Sequence, residues 1–346
     1  MVMADKPLVI PVFIPHSGCP HQCAFCNQSI ITNTEHKLPS EEAVQKTIAS
    51  YLKYRGRRRY VELAFFGGNF LGLPLENMLG LLDMVQSYME KGLIDGIRFS
   101  TRPDTISSSM LELVKARGVT TIELGVQSMN NRVLAASKRG HTAEDTLRAM
   151  ELLKKYRFTS GVQVMTGLPE DNEDCLFETT EKLAELKPDF ARIYPLMVLK
   201  GSLVERWYRQ GRYVPLELDQ AVDMVARMFL IFKKANVKVI RMGLQASEIM
   251  EDRSMMITGP WHPAFGHLVF SRIMFDRACR DLDSMHLSGP DTKTALVLRV
   301  NPVSESRLRG NKNINLKKLV RRYPGVQFTI CPDKGLEPDE ISIGEI

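Results

Sequence analysis

Three cysteines near the N-terminus, Cys19, Cys23 and Cys26, are the residues of this sequence best suited to chemistry. They form a C-x3-C-x2-C pattern with an aromatic residue, Phe25, directly before the third cysteine. Three thiolates can bind three irons of a [4Fe–4S] cluster and leave the fourth iron open to another ligand. A structural zinc ion is the alternative, because tetrahedral zinc takes four ligands and a histidine could supply the fourth. The candidate histidines are His16, His21 and His36.

The remaining composition limits the class of protein. The other cysteines, Cys175, Cys279 and Cys331, are scattered, and a long chain without an export signal is not expected to be a disulfide scaffold. The chain has 346 residues, of which 44% are hydrophobic and 25% charged, as in ordinary globular proteins. No run approaches the ~18 consecutive apolar residues of a membrane helix. We therefore expect a cytoplasmic protein without a membrane partner.

Between residue 8 and about residue 240, short apolar runs alternate with longer helical patterns. The predicted strands are Leu8–Ile14, Val61–Phe66, Ile97–Thr101, Thr120–Val126, Gly161–Met165, Phe190–Tyr194 and the shorter Val237–Ile240. The predicted helices are Ser40–Tyr54, Leu75–Glu90, Ser107–Ala116, Ala143–Tyr156, Glu173–Leu186 and Leu218–Ala235. This alternation predicts right-handed βαβ units and a parallel sheet. The expected fold is α/β, a partial (β/α)6 TIM-like barrel over residues 8–245.

Residues 246–346 do not continue the regular alternation of strand and helix patterns. They are predicted to form a small C-terminal α/β extension. Its expected elements are a helix at Ala264–Leu282, a strand at 294–300, a helix at Leu316–Arg322 and a strand at Val326–Cys331. No low-complexity linker precedes it. We therefore expect the extension to pack on the barrel rather than to be tethered through a flexible linker.

Glycines and polar residues with ligand-binding chemistry follow or end successive predicted strands. The second strand leads into Gly67-Gly68-Asn69, where the missing Cβ atoms let a ligand approach the backbone. Further along lie candidate donors and acceptors: Arg102 after the third strand, Glu123 and Gln127 on and after the fourth, Arg139 beyond it, and Gln163 on the fifth. The carboxyl ends of barrel strands and the loops that follow them build active sites in this architecture.

This combination resembles the radical S-adenosylmethionine (SAM) superfamily, whose signature is the three-cysteine spacing on the loop after the first strand. The resemblance implies a [4Fe–4S] cluster on Cys19, Cys23 and Cys26. The SAM-binding residues it implies are Phe25, Gly67, Gly68, Asn69, Arg102, Glu123, Gln127, Arg139 and Gln163. In that assignment the glycine pair meets the amino group of SAM, Arg139 its carboxylate, and Glu123 or Gln127 its hydroxyls. Asn69 replaces a common glutamate, and Gln163 stands where oxygen-independent coproporphyrinogen oxidases carry an acidic ribose contact.

A longer stretch, roughly residues 8–250, is similar to the radical domain of the elongator catalytic subunit. The similarity is carried by the strings Thr101–Asp104, Glu123–Ser128 and Arg192–Ser202, followed by Trp207 and Gly211–Tyr213. That subunit has a longer gap between its first two cysteines and a C-terminal acetyltransferase domain. No glycine-rich loop for acetyl-CoA follows residue 250, so acetyl-dependent RNA modification is not carried over.

The resemblance implies an enzyme that reductively cleaves SAM to a 5′-deoxyadenosyl radical, which abstracts hydrogen from a substrate. It also implies a small redox donor such as a flavodoxin or ferredoxin. Candidate substrate-side residues are Tyr194 and Lys200, near the end of the sixth predicted strand, and the loop residue His262.

The excess of basic residues makes RNA, or tRNA, the first expected substrate. The formal net charge is +6, and such local excesses suit polyanions. Basic residues concentrate at Arg55, Arg57, Arg58 and Arg59, and at nine positions in 291–325: Lys293, Arg299, Arg307, Arg309, Lys312, Lys317, Lys318, Arg321 and Arg322. One alternative is a coproporphyrinogen-oxidase-like radical enzyme acting on a small metabolite or tetrapyrrole. Another is a non-catalytic RNA-binding or assembly protein that carries zinc or an iron–sulfur cluster.

Overall fold

A computed structural model describes residues 7–14, 19, 22–27, 38–244, 255–285 and 294–345. Its strands are β1 Leu8–Ile14, β2 Val61–Gly67, β3 Gly96–Thr101, β4 Val119–Gln127, β5 Thr159–Thr166, β6 Phe190–Pro195, β7 Val198–Leu199, β8 Lys238–Met242, β9 Met256–Thr258, β10 Thr294–Val300, β11 Val326–Pro332 and β12 Ile341–Glu345. Seven of them form one parallel sheet in the order β1-β2-β3-β4-β5-β6-β8, curled into a half-barrel. The predicted partial TIM-like barrel is confirmed.

Helices follow most of the strands, and those within residues 41–234 pack mainly on one face of the seven-stranded sheet. The helices are α1 Glu41–Leu52, α2 Leu75–Glu90, α3 Ser108–Lys115, α4 Asn131–Ala136, α5 Ala143–Lys155, α6 Glu173–Glu185, α7 Leu203–Arg209, α8 Leu218–Lys234, α9 Phe265–Ser284, α10 Glu305–Arg309 and α11 Ile314–Arg322. Side chains alternate along each strand, so that Leu63 and Phe65 of β2 join the core with helix residues such as Leu81. Polar residues cap the helix starts, as Ser40 does for α1 and Thr142 for α5.

The opposite, concave face of the sheet carries a buried network of charges. Arg98 pairs with Glu62 at 2.8 Å and with Glu123 at 3.2 Å, and Arg192 lies 3.0 Å from Glu123. Thr121 donates to Glu62 at 2.6 Å. Each carboxylate is thus paired, as burial of charge requires.

The C-terminal extension has its own sheet, β11-β10-β12, and its own apolar core. Helix α9 connects it to the barrel, because Phe265, Val269 and Ile273 belong to the barrel core while Met274 and Leu282 belong to the extension core. Helix α9 also packs on α8, and a salt bridge joins Arg272 to Asp223 at 2.7 Å. The extension is therefore docked on the barrel.

The predicted strands and helices occur with shifts of a few residues, and β1 and α2 have the predicted bounds. Helices α4 and α7 were not predicted, since six or seven residues are too few to show a helical period. The β7–β9 pair and strand β12 were also not predicted. None of the helices in the described ranges has the length and apolar character needed to cross a membrane.

Candidate active site

Residues 19 and 22–27 carry the three cysteines, and we call them the cysteine segment. The segment lies at the carboxyl ends of the sheet strands and is anchored from two sides. The backbone N–H of Ala24 donates to the Ser137 carbonyl at 2.9 Å, and the Ala24 carbonyl accepts from Val204 at 2.9 Å. The side-chain amide of Asn27 donates to the Lys200 carbonyl at 2.7 Å. The α4–α5 connection on one side and the β7–α7 region on the other therefore hold the segment in place.

Two arginines surround the thiols. Arg139 donates through Nη1 to the Cys23 sulfur at 3.2 Å and through Nη2 to the Gly125 carbonyl. Arg102 donates to the Arg139 carbonyl at 2.6 Å and is held by Asp104 through two hydrogen bonds of 2.9 and 2.7 Å. Arg102 is 1% exposed and Arg139 7%. The site therefore combines a thiol with oriented, buried positive charge.

Cys23 is buried, while Cys19 and Cys26 are partly exposed. Burial raises the pKa of the Cys19 thiol, and the nearby Arg139 and Arg102 guanidinium groups act in the opposite direction. Across the described residues, no three His, Cys, Asp or Glu side chains converge on a single metal ion. The histidines of the zinc alternative, His16, His21 and His36, lie outside these residues.

Gly125 is required for the Arg139 contact. A Cβ atom at this position would lie 2.7 Å from Nη2 of Arg139 and 3.2 Å from Nε2 of Gln127. Both distances are shorter than ordinary contacts. The absence of a side chain at Gly125 thus lets the guanidinium reach both the strand and Cys23.

Gln127 ends β4 in a strained conformation. Its φ is 72°, in the left-handed region that non-glycine residues rarely adopt, and the β4–β5 register shifts between Gly125 and Gln127. The side chain is buried, and its Oε1 has no hydrogen-bond partner among the residues described. Strain of this kind costs about 1–3 kcal/mol and persists where the surrounding structure enforces it.

Asn69 connects two loops at the same edge of the sheet. Its Oδ1 accepts hydrogen bonds from the Thr101 hydroxyl at 2.7 Å and from the Arg102 backbone N–H at 2.9 Å. Gly67, just before it, has a φ of 108°, which favours glycine. The glycine pair and Arg102 are therefore fixed relative to each other.

Glu123 and Gln163 lie deeper on the concave face. Burial raises the pKa of the Glu123 carboxyl, and the Arg192 and Arg98 guanidinium groups beside it counteract that shift. Gln163 is in register with Gly125 on one side and Arg192 on the other. The carboxylate of Glu123 is thus engaged with protein cations, whereas the amide oxygen of Gln127 is not engaged.

The aromatic residue of the cysteine motif, Phe25, packs against a small apolar cluster that includes Ala24, Val198 and Val204. Tyr194, at the end of β6, belongs to the same cluster. The β7–β9 region therefore lies beside the cysteine segment.

The remaining substrate-side candidates differ in their surroundings. Lys200 is exposed, its backbone N–H donates to Met255, and its carbonyl accepts the Asn27 amide. His262 accepts the Ala264 backbone N–H through Nδ1 at 3.1 Å, just before α9 begins. Lys200 is thereby placed beside the cysteine segment, and His262 is engaged at a helix start.

Sequence reasoning missed polar groups at this edge. His141 lies two residues beyond Arg139, and burial, together with Arg139 and Arg102, lowers its pKa to about 3. The imidazole is therefore neutral at physiological pH, with Nε2 3.2 Å from the Val126 carbonyl. The hydroxyls of Ser137 and Thr166 are buried without a partner among the described residues. Only the proximity of His141 to Arg139 in the sequence offered a signal.

Comparisons with known proteins show which family this chain matches. The model of the radical SAM superfamily matches residues 13–183, and that of a radical SAM C-terminal domain matches residues 188–274. An uncharacterized protein of Methanocaldococcus jannaschii is 30% identical over 234 residues, covering 64% of this chain and 70% of that protein. A tRNA uridine(34) acetyltransferase of Methanocaldococcus infernus is 25% identical over 257 residues, covering 63% of this chain and 48% of the relative.

A solved structure of Methanocaldococcus infernus Elp3, with residues 1–46 deleted, shares the fold. Its TM-score is 0.63 at 21% sequence identity, and the match covers 79% of this chain and 64% of that chain. The chain thus spans about half the length of the curated acetyltransferase and under two thirds of the solved structure.

Proposed function

We propose a function from the premise that this chain belongs to the radical SAM superfamily and is an enzyme of that class. In our proposal the chain binds a [4Fe–4S] cluster through Cys19, Cys23 and Cys26 and binds SAM beside it. The observation that carries this proposal is the position of the Arg139 guanidinium. It contacts both the Cys23 sulfur and the Gly125 carbonyl of β4. The same strand ends at Gln127, whose amide oxygen has no partner among the described residues.

The donor set fits a cluster of this kind. The three thiols lie on one segment that is fixed at both sides, next to two cations that balance thiolate charge. In a cubane each thiolate binds a different iron, so the ligands do not converge on one point as they do around zinc. When bound, the cluster and SAM would supply, with one electron from an external donor, methionine and a 5′-deoxyadenosyl radical for removal of hydrogen from an unactivated carbon.

The protein's own residues would bind and orient SAM. Arg139 would offer buried positive charge to its carboxylate, and Arg102, itself paired with Asp104, would position Arg139 through the Arg139 carbonyl. Gly67 and Gly68 would offer backbone groups to its amino end. Of the two residues considered for the ribose hydroxyls, we favour Gln127, because Glu123 is already paired with Arg98 and Arg192. Phe25, Asn69, Gln163 and Glu123 complete the proposed surroundings.

The proposed substrate is RNA, with tRNA as the favoured kind. The name of the curated relative, a tRNA uridine(34) acetyltransferase, supports this choice, as do the exposed cations of this chain. Tyr194 and Lys200, beside the cysteine segment, are the proposed substrate contacts. We further propose residues 8–245 as the catalytic part, 246–346 as an accessory part, a flavodoxin or ferredoxin as electron donor, and a cytoplasmic location.

The test is an anaerobic assay of SAM cleavage. The protein is reconstituted with iron and sulfide, reduced and given SAM, and 5′-deoxyadenosine is measured by chromatography. We expect the product from the native chain and from a Cys175→Ala control, and none from Cys26→Ala. A protein that binds one zinc and no iron would support the non-catalytic RNA-binding alternative instead.

A further inference from the structure

The loop between α1 and β2 concentrates positive charge and aromatic rings. Five cations occur in residues 53–59, namely Lys53, Arg55, Arg57, Arg58 and Arg59. Tyr54 lies among them and is 71% exposed, while Tyr51 and Tyr60 flank them and are 37% and 39% exposed. We call residues 51–60 the tyrosine–arginine loop. It precedes β2 and therefore lies at the amino end of the sheet, opposite the cysteine segment.

Neutralising partners are absent for these cations within the part of the chain that the structure describes. None of the five takes part in a salt bridge there, although other surface arginines such as Arg117 and Arg227 do. The helix dipole does not account for them, because α1 has no basic residue in its last turn and all five lie beyond its last residue, Leu52. By contrast, Lys154, Lys155, Lys233 and Lys234 at the same end of the sheet occupy last turns of helices.

Hydrogen bonds within the loop fix its turns. Successive turns are closed by hydrogen bonds from Tyr54 to Tyr51 at 2.9 Å and from Arg58 to Arg55 at 3.1 Å. The Arg58 guanidinium donates to the Tyr54 carbonyl, and the Tyr60 hydroxyl lies 3.2 Å from that of Thr120. Arg58 and Tyr60 thus support the loop, which leaves Lys53, Arg57, Arg59 and the Tyr54 ring facing solvent.

We infer that the tyrosine–arginine loop is the RNA-docking surface of this enzyme, a proposal that rests on the RNA substrate proposed above. Its cations contact backbone phosphates and the Tyr54 ring stacks on an unpaired base. Guanidinium groups match phosphate geometry, and aromatic rings stack on bases of single-stranded RNA loops. RNA supplies both kinds of partner that this loop needs, phosphates for the cations and an unpaired base for the Tyr54 ring.

The position of the loop implies docking away from the reacting nucleotide. Strands β1 and β2 have seven residues each, which at ~3.3 Å per residue separate the two ends of the sheet by about 23 Å. An RNA held at the loop can therefore extend along the sheet edge to the cysteine segment. Binding at the loop should set RNA affinity and leave the cleavage of SAM without RNA unchanged.

The basic part of the C-terminal extension is the competing surface. Arg322 pairs with Asp283 at 2.9 Å and Arg309 with Glu305 at 2.9 Å, while Lys318 lies 5.8 Å from the Phe275 ring. These contacts occupy three of its cations, whereas Lys317 and Arg321 form no salt bridge among the described residues. The neighbouring Tyr323 is partly buried, and its hydroxyl donates to Asp283 at 2.6 Å. This surface therefore offers cations without an exposed aromatic ring and is the weaker candidate.

The experiment measures RNA binding as a function of salt. The probe is a fluorescent RNA hairpin with a single-stranded loop, titrated with the full chain between 50 and 200 mM salt. For a K53Q/R57Q/R59Q variant we expect at least about tenfold weaker binding at low salt. The slope of log Kobs against log salt should become shallower by about 2, since each phosphate contact on a single strand contributes about 0.7. Tyr54→Ala should weaken binding about five- to 100-fold with no change in slope.

The matched control is K317Q/R321Q on the extension, for which we expect less than a twofold change. The inference is overturned if this control loses more affinity than the loop variant, or if the native chain does not bind the hairpin. Loss of binding to phosphatidylserine vesicles with unchanged RNA binding would indicate a membrane surface instead. Circular dichroism and the formation of 5′-deoxyadenosine without RNA are measured on the same proteins. Normal product with unchanged RNA binding in the loop variant refutes only the docking surface, whereas absent product in the native chain refutes the proposed enzyme.

Discussion

The two ends of the half-barrel use arginine in opposite ways. At the carboxyl end, Arg102 and Arg139 are buried and each guanidinium donates to identified acceptors, among them Asp104, the Cys23 sulfur and the Gly125 carbonyl. At the amino end, the cations of the tyrosine–arginine loop are exposed or partly exposed and form no salt bridge among the described residues.

The difference reflects the ligand that each end can select. A buried guanidinium with fixed acceptors has one orientation, which suits a small ligand with a carboxylate at a defined place. Exposed side chains adapt to many phosphates, and their contribution weakens with salt. Substitutions at the carboxyl end test this contrast, with loss of the cluster as the greatest expected change and a pH dependence as the least.

The largest effect should come from the thiol that Arg139 contacts. Cys23→Ala should abolish the [4Fe–4S] cluster, because two protein thiolates remain for a cluster held by three. Iron content and visible absorbance after anaerobic reconstitution measure it. Cys331→Ala, in the extension, is the control and should keep full iron. Equal iron content in the two variants would exclude Cys23 as a ligand.

Gly125→Ala should disturb the Arg139 guanidinium without removing it. The new Cβ would lie 2.7 Å from Nη2, so we expect SAM binding about 10- to 100-fold weaker. Equilibrium dialysis of SAM against the reconstituted protein measures this. Gly80→Ala is the matched control, because a Cβ there meets nothing within 4 Å in helix α2. It should raise the free energy of unfolding by about 0.5–1 kcal/mol and leave SAM binding unchanged.

Gln127→Gly should increase the stability of the fold and weaken the binding of SAM. Glycine adopts the observed positive φ without strain, so the free energy of unfolding should rise by about 1 kcal/mol. The amide oxygen proposed to contact SAM would be lost, and SAM affinity should fall about tenfold. Denaturant titration and SAM dialysis on the same protein measure the two effects. A variant that is both less stable and unchanged in SAM binding would contradict both parts.

The smallest effect should be a pH dependence of folding stability that originates at the carboxyl end of the sheet. Burial raises the pKa of Asp171, in the loop after β5, to about 7, while the Asn172 backbone N–H acts in the opposite direction. Because the pKa in the folded state lies above the ordinary value for an aspartate, ionisation of Asp171 destabilises the folded state. The stability retained with the neutral acid is fully present below the unfolded pKa and is lost as pH rises through 7.

The measurement for Asp171 is the melting temperature between pH 4 and 8. Asp171→Asn should flatten the decline of Tm with pH by a few degrees, because the amide does not ionise. Glu170→Gln, at an exposed neighbour, is the control and should leave the slope unchanged. Identical slopes for the native chain and Asp171→Asn would refute the assignment.

Many strands and helices of the barrel could be predicted, because each is indicated by the pattern of residues within its own segment. The bounds of β1 and α2 follow from apolar runs and helical periodicity within each segment. Helices α4 and α7 were missed because they are short and are stabilised by contacts distant in sequence, such as the hydrogen bond from Val204 to Ala24.

The residue types of the site could be predicted, but the contacts between its side chains could not. The spacing of Cys19, Cys23 and Cys26 is visible in the chain, and so are the glycines and arginines that follow the strands. Nothing local, however, distinguished Glu123 from Gln127 as the residue left with an unpartnered oxygen. That distinction depends on Arg98 and Arg192, which come from neighbouring strands.

The order of strands and helices and the chemistry available at each strand end are readable in the sequence, because both depend on residues close together in the chain. The contact of Arg139 with a sulfur 116 residues away and the pairing of Glu123 with arginines arise from the folded arrangement. The exposure of the loop arginines arises in the same way. Sheet register, loop anchoring and burial set these contacts, and each depends on segments that are distant in sequence.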